Sequence, residues 1–84
     1  MVCHINCAAV TDNKQLHGLL AQYLELPQWY GRNLDALYDC LTELPEDLLL
    51  YFSHWDPAAP WANGFEAVLS QAQEDCPELT VVFQ

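Results

Sequence analysis

The chain has 84 residues, of which 12 are acidic and only two, Lys14 and Arg32, are basic, so its formal net charge is −10. This balance argues against binding to nucleic acids or anionic membranes, because there is no basic patch that could displace counterions from phosphate groups. It favours either a basic partner or plain solubility, and solubility is the commoner reason for an acidic chain.

Apolar residues make up 52% of the chain, which is enough for one modest core, and we expect a single domain over residues 1–84. No apolar stretch approaches the roughly 20 residues of a membrane span, and residues 1–10 lack the pattern of a signal peptide. We therefore expect a cytoplasmic protein with reduced thiols, since its cysteines are too few for a disulfide scaffold. These cysteines are Cys3, Cys7, Cys40 and Cys76.

The beginning of the chain predicts a strand followed by a helix. Residues 2–5 form a short apolar run of strand length. Thr11 or Asp12 can cap a helix, and Gln15 stands where a capping box needs it after Asp12. The helix follows from apolar residues at i, i+3, i+4, i+7 and i+8, and Pro27 cannot continue it. The apolar positions are Leu16, Leu19, Leu20, Tyr23 and Leu24.

A loop over residues 26–31 leads to a second predicted helix, for which Asn33 is a good N-cap. Leucines at helical spacing give this helix a buried stripe, and Pro45 with the acidic pair at 46–47 ends it. The stripe comprises Leu34, Leu37, Leu41 and Leu44.

The middle of the chain predicts a strand and a further short helix. Residues 48–52 are continuously apolar, which indicates a strand covered on both faces. Residues 54–62, which include Pro57 and Pro60, indicate a short irregular helix.

A longer helix and a last strand are predicted for the final residues of the sequence. Asn63, with Glu66 three residues later, is a capping pattern, and Pro77 ends the helix. Residues 79–83 are apolar and rich in residues that favour strands. The helix has its apolar face at Phe65, Val68, Leu69 and Ala72. This order of elements predicts an α/β fold in which a three-stranded parallel sheet is packed with about four α-helices.

One face of the second helix carries a row of polar groups. At about 100° per residue the leucines fall on one side, whereas Asp35, Asp39 and Thr42 fall on the other and Tyr38 lies on the border. Carboxylates in a row on a rigid helix resemble the phosphates of a nucleic-acid backbone, so a cleft built for phosphates would accept them through its arginines. The alternative is a solvated acidic face, in which Asp35 is favoured by the helix dipole.

Trp29 and Tyr30 place two large aromatic residues in the loop beside this acidic face. Exposed aromatics next to charges are typical of binding hot spots, but either ring can also belong to the core. We expect one of the two to be buried and the other exposed. A second unusual feature is the pair Glu74-Asp75, because the helix dipole disfavours acids near a C-terminus; either something needs charge there or two solvated acids are tolerated.

Other kinds of chemistry have weaker support. Cys3, His4 and Cys7 resemble half of a metal site, but the paired spacing of zinc motifs is missing, and Cys3 and His4 alternate between the faces of a strand. His17 and His54 are expected to serve as capping or packing residues. Since there is no glycine-rich phosphate loop and no nucleophile elbow, we expect no metal, no cofactor and no enzymatic activity.

Residues 26–42, LPQWYGRNLDALYDCLT, resemble the central motif of the barstar family of intracellular ribonuclease inhibitors. The resemblance extends more loosely over the whole chain, through the N-terminal strand, His17, the helix start at Asn63-Gly64 and the terminal strand. It implies a barstar-like domain with a three-stranded parallel sheet, and one-to-one inhibition of a small, basic, secreted ribonuclease similar to barnase.

The resemblance also implies which residues contact the ribonuclease. The loop and the second helix would enter its active site, where Asp39 would meet the phosphate-binding arginines and histidine and Asp35 would meet a neighbouring basic residue. Trp29 takes the position of an aromatic residue that stacks at the cleft. The other implied contact positions are Tyr30, Gly31, Asn33, Leu34, Tyr38, Thr42 and Glu74.

Several positions depart from the family pattern. Trp29 and Tyr38 are different aromatics from those expected there, Arg32 replaces an acidic residue, and Glu43-Leu44 replaces a glycine–tryptophan pair. These differences leave the central acids in place and bear mainly on the identity of the partner. They keep open an alternative, in which the chain is an immunity or antitoxin module, or a general interaction module, for a different basic partner.

Overall fold

A computed structural model describes residues 1–44 and 46–84 of the chain. Its elements follow the order strand, helix, helix, strand, helix and strand. They are β1 (Val2–Asn6), α1 (Asn13–Tyr23), α2 (Leu34–Thr42), β2 (Leu48–Ser53), α3 (Ala62–Asp75) and β3 (Leu79–Phe83). Within these described residues, no helix combines the length and the apolar character needed to cross a membrane.

The three strands form one parallel sheet in the order β1-β2-β3, which confirms the predicted α/β class and the parallel sheet. In register across the sheet, Ile5 pairs with Phe52 and Phe52 with Phe83. Parallel neighbours require crossover connections. Helices α1 and α2 lie on the first crossover, and α3 forms the second.

One face of β2 is fully buried and the other is partly buried, so the predicted cover on both faces is complete on one face only. Leu48, Leu50 and Phe52 are at most 2% exposed, whereas the alternating residues Leu49 and Tyr51 are half-buried. The buried side joins the apolar faces of the three helices in one core. The alternation is hidden in the sequence because the outward positions also carry large apolar or aromatic side chains.

The segment between β2 and α3 consists of turns, and the short helix predicted there is absent from the described residues. The Ala59 N–H donates to the Asp56 carbonyl at 3.2 Å, and the Asp56 carboxylate accepts from the Ala58 N–H at 3.0 Å. Pro57 and Pro60 have no N–H to donate, so a helical ladder cannot propagate through them. The described chain therefore holds three helices, and the predicted count of about four is not confirmed.

Helix α3 begins one residue before the predicted cap. Its N-cap is Trp61, which makes no side-chain cap hydrogen bond, and Asn63 lies inside the first turn, so the predicted cap at Asn63 is wrong. The Glu66 carboxylate accepts instead from Trp55 Nε1 at 3.0 Å. The Trp61 ring contacts those of Trp55 and Phe65 edge-on. The packing of these aromatic residues, and not the local capping pattern, therefore determines where α3 begins.

The start of α1 agrees with the sequence in more detail. The Asp12 carboxylate accepts from the Gln15 N–H at 2.9 Å, which confirms Asp12 as the N-cap. The Gln15 side-chain oxygen accepts from the Thr11 N–H at 2.6 Å and from its hydroxyl at 2.8 Å. Leu16 and Leu20 are fully buried, but Tyr23, expected in the same apolar stripe, is 52% exposed because it stands at the last turn of the helix.

Candidate functional site

Helix α2 is fixed at its N-terminus by a cap and along one side by the core. The Asn33 side-chain oxygen accepts from the Ala36 N–H at 2.8 Å, which confirms the predicted N-cap. Leu37 and Leu41 are fully buried. The helix ends at Thr42, so Leu44 follows the helix, and the predicted helix end at Pro45 lies outside the described residues. Because its leucine side is anchored, α2 presents its opposite side to the solvent.

The outward side of α2 carries the predicted acidic face. Asp35 and Asp39 are exposed and stand one helical turn apart. The mutual repulsion of two like charges at this spacing costs an isolated helix about 0.2–0.5 kcal/mol, and a bound cation would relieve it. Thr42, predicted on the same face, turns its hydroxyl back to donate to the Tyr38 carbonyl at 2.9 Å.

A groove of about 370 Å³ separates this face from α3. Asp35 and Asp39 contribute acid to the α2 side, whereas Ala67 and Val68 contribute apolar surface on the α3 side. The full lining is Asp35, Tyr38, Asp39, Ala67, Val68 and Gln71. The sequence predicts Val68 on the buried face of α3 and indicates no role in the site for Ala67 or Gln71. Their part in the site depends on how two helices pack, for which the local pattern carries no signal.

Tyr38 links the two sides of this groove. Its hydroxyl donates to the Asp75 carboxylate at the end of α3, and Gln71 Nε2 donates to both oxygens of the same carboxylate at 3.2 Å. The hydrogen bond to Asp75 is the main cause that raises the pKa of Tyr38, with desolvation and the charges of Asp75 and Asp39 acting in the same direction. Accepting these bonds lowers the pKa of Asp75. The unusual acid at a helix C-terminus therefore has a partner.

The loop before α2 separates its two aromatic residues, as expected. Trp29 is 64% exposed, whereas Tyr30 is 6% exposed. Trp29 lies with Glu43 and Leu44 at the C-terminal end of α2, where these residues line a second, smaller hollow. The exposed aromatic residue therefore lies at one end of the helix whose outward side carries Asp35 and Asp39.

Tyr30 belongs to the core rather than to this surface. Its hydroxyl is hydrogen-bonded to Nδ1 of His17, which is itself 2% exposed and packs on Phe65 with ring centroids 4.8 Å apart. Burial, and then the charge of Arg32, lowers the pKa of His17. Burial is also the main cause that raises the pKa of Tyr30. His17 is confirmed as a packing residue. The Tyr30 side chain anchors the loop, and its implied contact with a partner stays a prediction.

The implied contact residues Gly31, Asn33 and Leu34 shape the loop, together with Arg32. A Cβ at Gly31 would lie 2.9 Å from Asn33 Nδ2, so glycine leaves the room that the capping side chain occupies. Arg32 has φ 53°, in the left-handed region that few non-glycine residues adopt. Leu34 is half-buried, and its Cδ1 lies 3.0 Å from a Cβ built at Gly64 of α3. These residues set the course of the chain into α2.

The implied contact from α3, Glu74, is exposed. It follows Gln71 by three residues, so it continues the same side of the helix beyond the groove. The half metal site suggested by Cys3 and His4 is not assembled, because Cys3 is buried and His4 is exposed on the other face of β1. In the part of the chain that the structure describes, no group of three or more potential ligands could hold a metal ion.

Comparison with known proteins finds a matching family and a relative. The family model described as "Barstar (barnase inhibitor)" matches residues 1–84. A protein of Bacillus subtilis (strain 168) named "Putative ribonuclease inhibitor YrdF" is 40% identical over 65 residues, and the match covers 71% of this chain and 71% of that protein.

Proposed function

The chain belongs to the barstar family, and from that premise we propose that it is an inhibitor that binds a small basic ribonuclease and blocks its active site. The observation that carries the proposal is the exposed pair Asp35 and Asp39 on the outward side of α2, with the exposed ring of Trp29 at the C-terminal end of the same helix. Acids and an aromatic residue on one surface match a cleft that holds phosphates and bases.

The carboxylates act as phosphate mimics. An arginine forms the same forked pair of hydrogen bonds with a carboxylate as with a phosphate. Asp39 occupies the central phosphate position, where it meets the arginines and histidine that hold the scissile phosphate of RNA. Asp35, one turn earlier, binds a neighbouring basic side chain. Since α2 is capped by Asn33 and anchored by Leu37 and Leu41, its acids are in place before binding and little order is lost in the complex.

The loop and the overall charge complete the interaction. The exposed Trp29 stacks at the rim of the cleft, while the buried Tyr30 holds the loop that carries it. The formal charge of −10 attracts a basic enzyme over a distance, which raises the association rate at low salt. Contact is one-to-one, because a single α2 face fills a single active site.

The test is a titration of this chain into a barnase-like microbial ribonuclease, with a dinucleotide as substrate. A plugged active site stops cleavage of even this small substrate, with an endpoint at one inhibitor per enzyme. The association rate falls when salt is raised from low to physiological concentration. Full dinucleotide cleavage at a micromolar excess of the chain, with a panel of basic ribonucleases, would overturn the proposal.

The exposed Arg32 supports a second candidate function, which is immunity or antitoxin activity against a different basic toxin. It adds positive charge to the loop that faces the partner, and it does so from a left-handed backbone conformation that is held in place by the loop. A positive side chain there disfavours a partner that is basic at the matching position. Binding to a basic toxin without inhibition of any ribonuclease would favour this candidate.

A further inference from the structure

Asp75 occupies a position that its own helix disfavours. It is the last residue of α3, where the helix dipole is negative and repels a carboxylate. It is bound there from two directions, by the Tyr38 hydroxyl of α2 and by the Gln71 amide one turn earlier on α3. The carboxylate is thus oriented toward α2 and joins two helices that otherwise meet through apolar contacts.

Tyr38 is the residue whose position this link controls. It is half-buried, and its ring lines the groove together with Asp35 and Asp39. A half-exposed tyrosine without a partner samples several side-chain rotamers, and binding must then fix one of them at a cost in entropy. With its hydroxyl held by Asp75, Tyr38 is already ordered, and it offers a partner its ring rather than its hydroxyl.

We propose that Asp75, oriented by Gln71, is a positioning residue of the binding surface, which holds Tyr38 in the conformation that shapes the groove beside Asp35 and Asp39. The inference rests on the proposed inhibitor function, since it assigns a role within that surface. Asp75 acts through Tyr38 and makes no contact with the partner of its own.

Two variants of equal charge separate this role from a charge effect. Asp75→Asn keeps an oxygen that accepts from Tyr38 and Gln71, whereas Asp75→Ala removes it, and both lose the same negative charge. Their association rates with the ribonuclease should therefore be equal. Asp75→Ala should bind about three- to tenfold more weakly than Asp75→Asn, with the difference in the dissociation rate, as expected for one net hydrogen bond.

The same pair of variants in a Tyr38→Phe background tests whether the effect passes through the tyrosine. Without the hydroxyl there is nothing for Asp75 to hold, so the two double variants should bind within about twofold of each other. The free energy of unfolding of the free protein should not fall from Asp75→Asn to Asp75→Ala by as much as the binding free energy does, because both variants relieve the helix dipole equally and alanine favours the helix more than asparagine does.

The outcomes are distinct. Equal affinities of Asp75→Asn and Asp75→Ala, or a difference that persists unchanged in the Tyr38→Phe background, would overturn the positioning role while the inhibitor function stands. A wild-type chain that inhibits no ribonuclease would overturn the inhibitor function, and the positioning role with it.

Discussion

The Tyr30 hydroxyl is hydrogen-bonded to Nδ1 of His17, and this buried bond ties the loop before α2 to helix α1. Both side chains are at most 6% exposed. The bond joins residues 13 positions apart and decides which of the two loop aromatics enters the core. Trp29, left outside, lies at the C-terminal end of α2.

Replacing Tyr30 by phenylalanine should destabilise the protein. The ring still fills its place, but Nδ1 of His17 loses its partner in a buried site, which costs about 1–3 kcal/mol. Urea unfolding measures the loss. Tyr23→Phe is the matched control, because Tyr23 is 52% exposed, and its change should stay within about 0.5 kcal/mol. Equal small changes for both variants would contradict the role given to the buried bond.

The free energy of unfolding should fall as the pH drops below the unfolded-state pKa of His17, which is about 6.5. Burial lowers the folded-state pKa of this residue, so the unfolded chain binds a proton more readily than the folded one. The stabilisation is fully present above pH 6.5 and is lost on acidification toward the folded-state pKa.

The measurement for this pH dependence is urea unfolding at several pH values between 5 and 8, for the wild type and His17→Gln. The two chains share every other titrating group, so the difference between their curves isolates His17. That difference should change below pH 6.5 and be flat above it. A difference that is flat across the whole range would show that His17 titrates alike in both states.

Replacing Trp29 by alanine should weaken ribonuclease binding by at least about 1 kcal/mol, as for an exposed aromatic in a binding surface, while unfolding changes by less than about 0.5 kcal/mol. Titration calorimetry and urea unfolding measure the two quantities. Tyr23→Ala removes a similarly exposed aromatic residue from α1 and should leave binding unchanged. Equal affinities of the two variants would remove Trp29 from the binding surface.

The elements that could be predicted from the sequence are those fixed by local interactions. Asn33 and Asp12 cap helices through bonds to residues three positions on, so their signals lie within one turn. Asn63 and Glu66 form the same kind of local capping pattern, but α3 does not begin at Asn63. The reason is that Glu66 accepts a hydrogen bond from Trp55, 11 residues away in sequence. A capping pattern predicts a helix start only where its side chains are not engaged in tertiary contacts.

The candidate site likewise has one part that could be predicted from the sequence and one part that could not. The angular separation of Asp35 and Asp39 from the leucines follows from helix geometry alone, and their exposure agrees with it. The groove wall on α3 lies opposite residues that are distant from it in sequence, and the bond from Tyr38 to Asp75 joins residues 37 positions apart. From the sequence, Asp75 is only an acid at a helix C-terminus, where the helix dipole disfavours it. Its partner, Tyr38, is recognised only when the two helices are packed together.

The central claim is that the acids of α2 occupy the phosphate sites of a ribonuclease, and the affinity of Asp39→Ala for that enzyme tests it most directly. Asp47→Ala is the matched control, since it removes another exposed acid, which precedes β2 and is not among the residues that line the groove. The account predicts that Asp39→Ala weakens binding by at least about 2 kcal/mol, the level of a hot spot, with unfolding unchanged, while Asp47→Ala has only the small effect of one lost charge. Equal affinities of the two variants would contradict it.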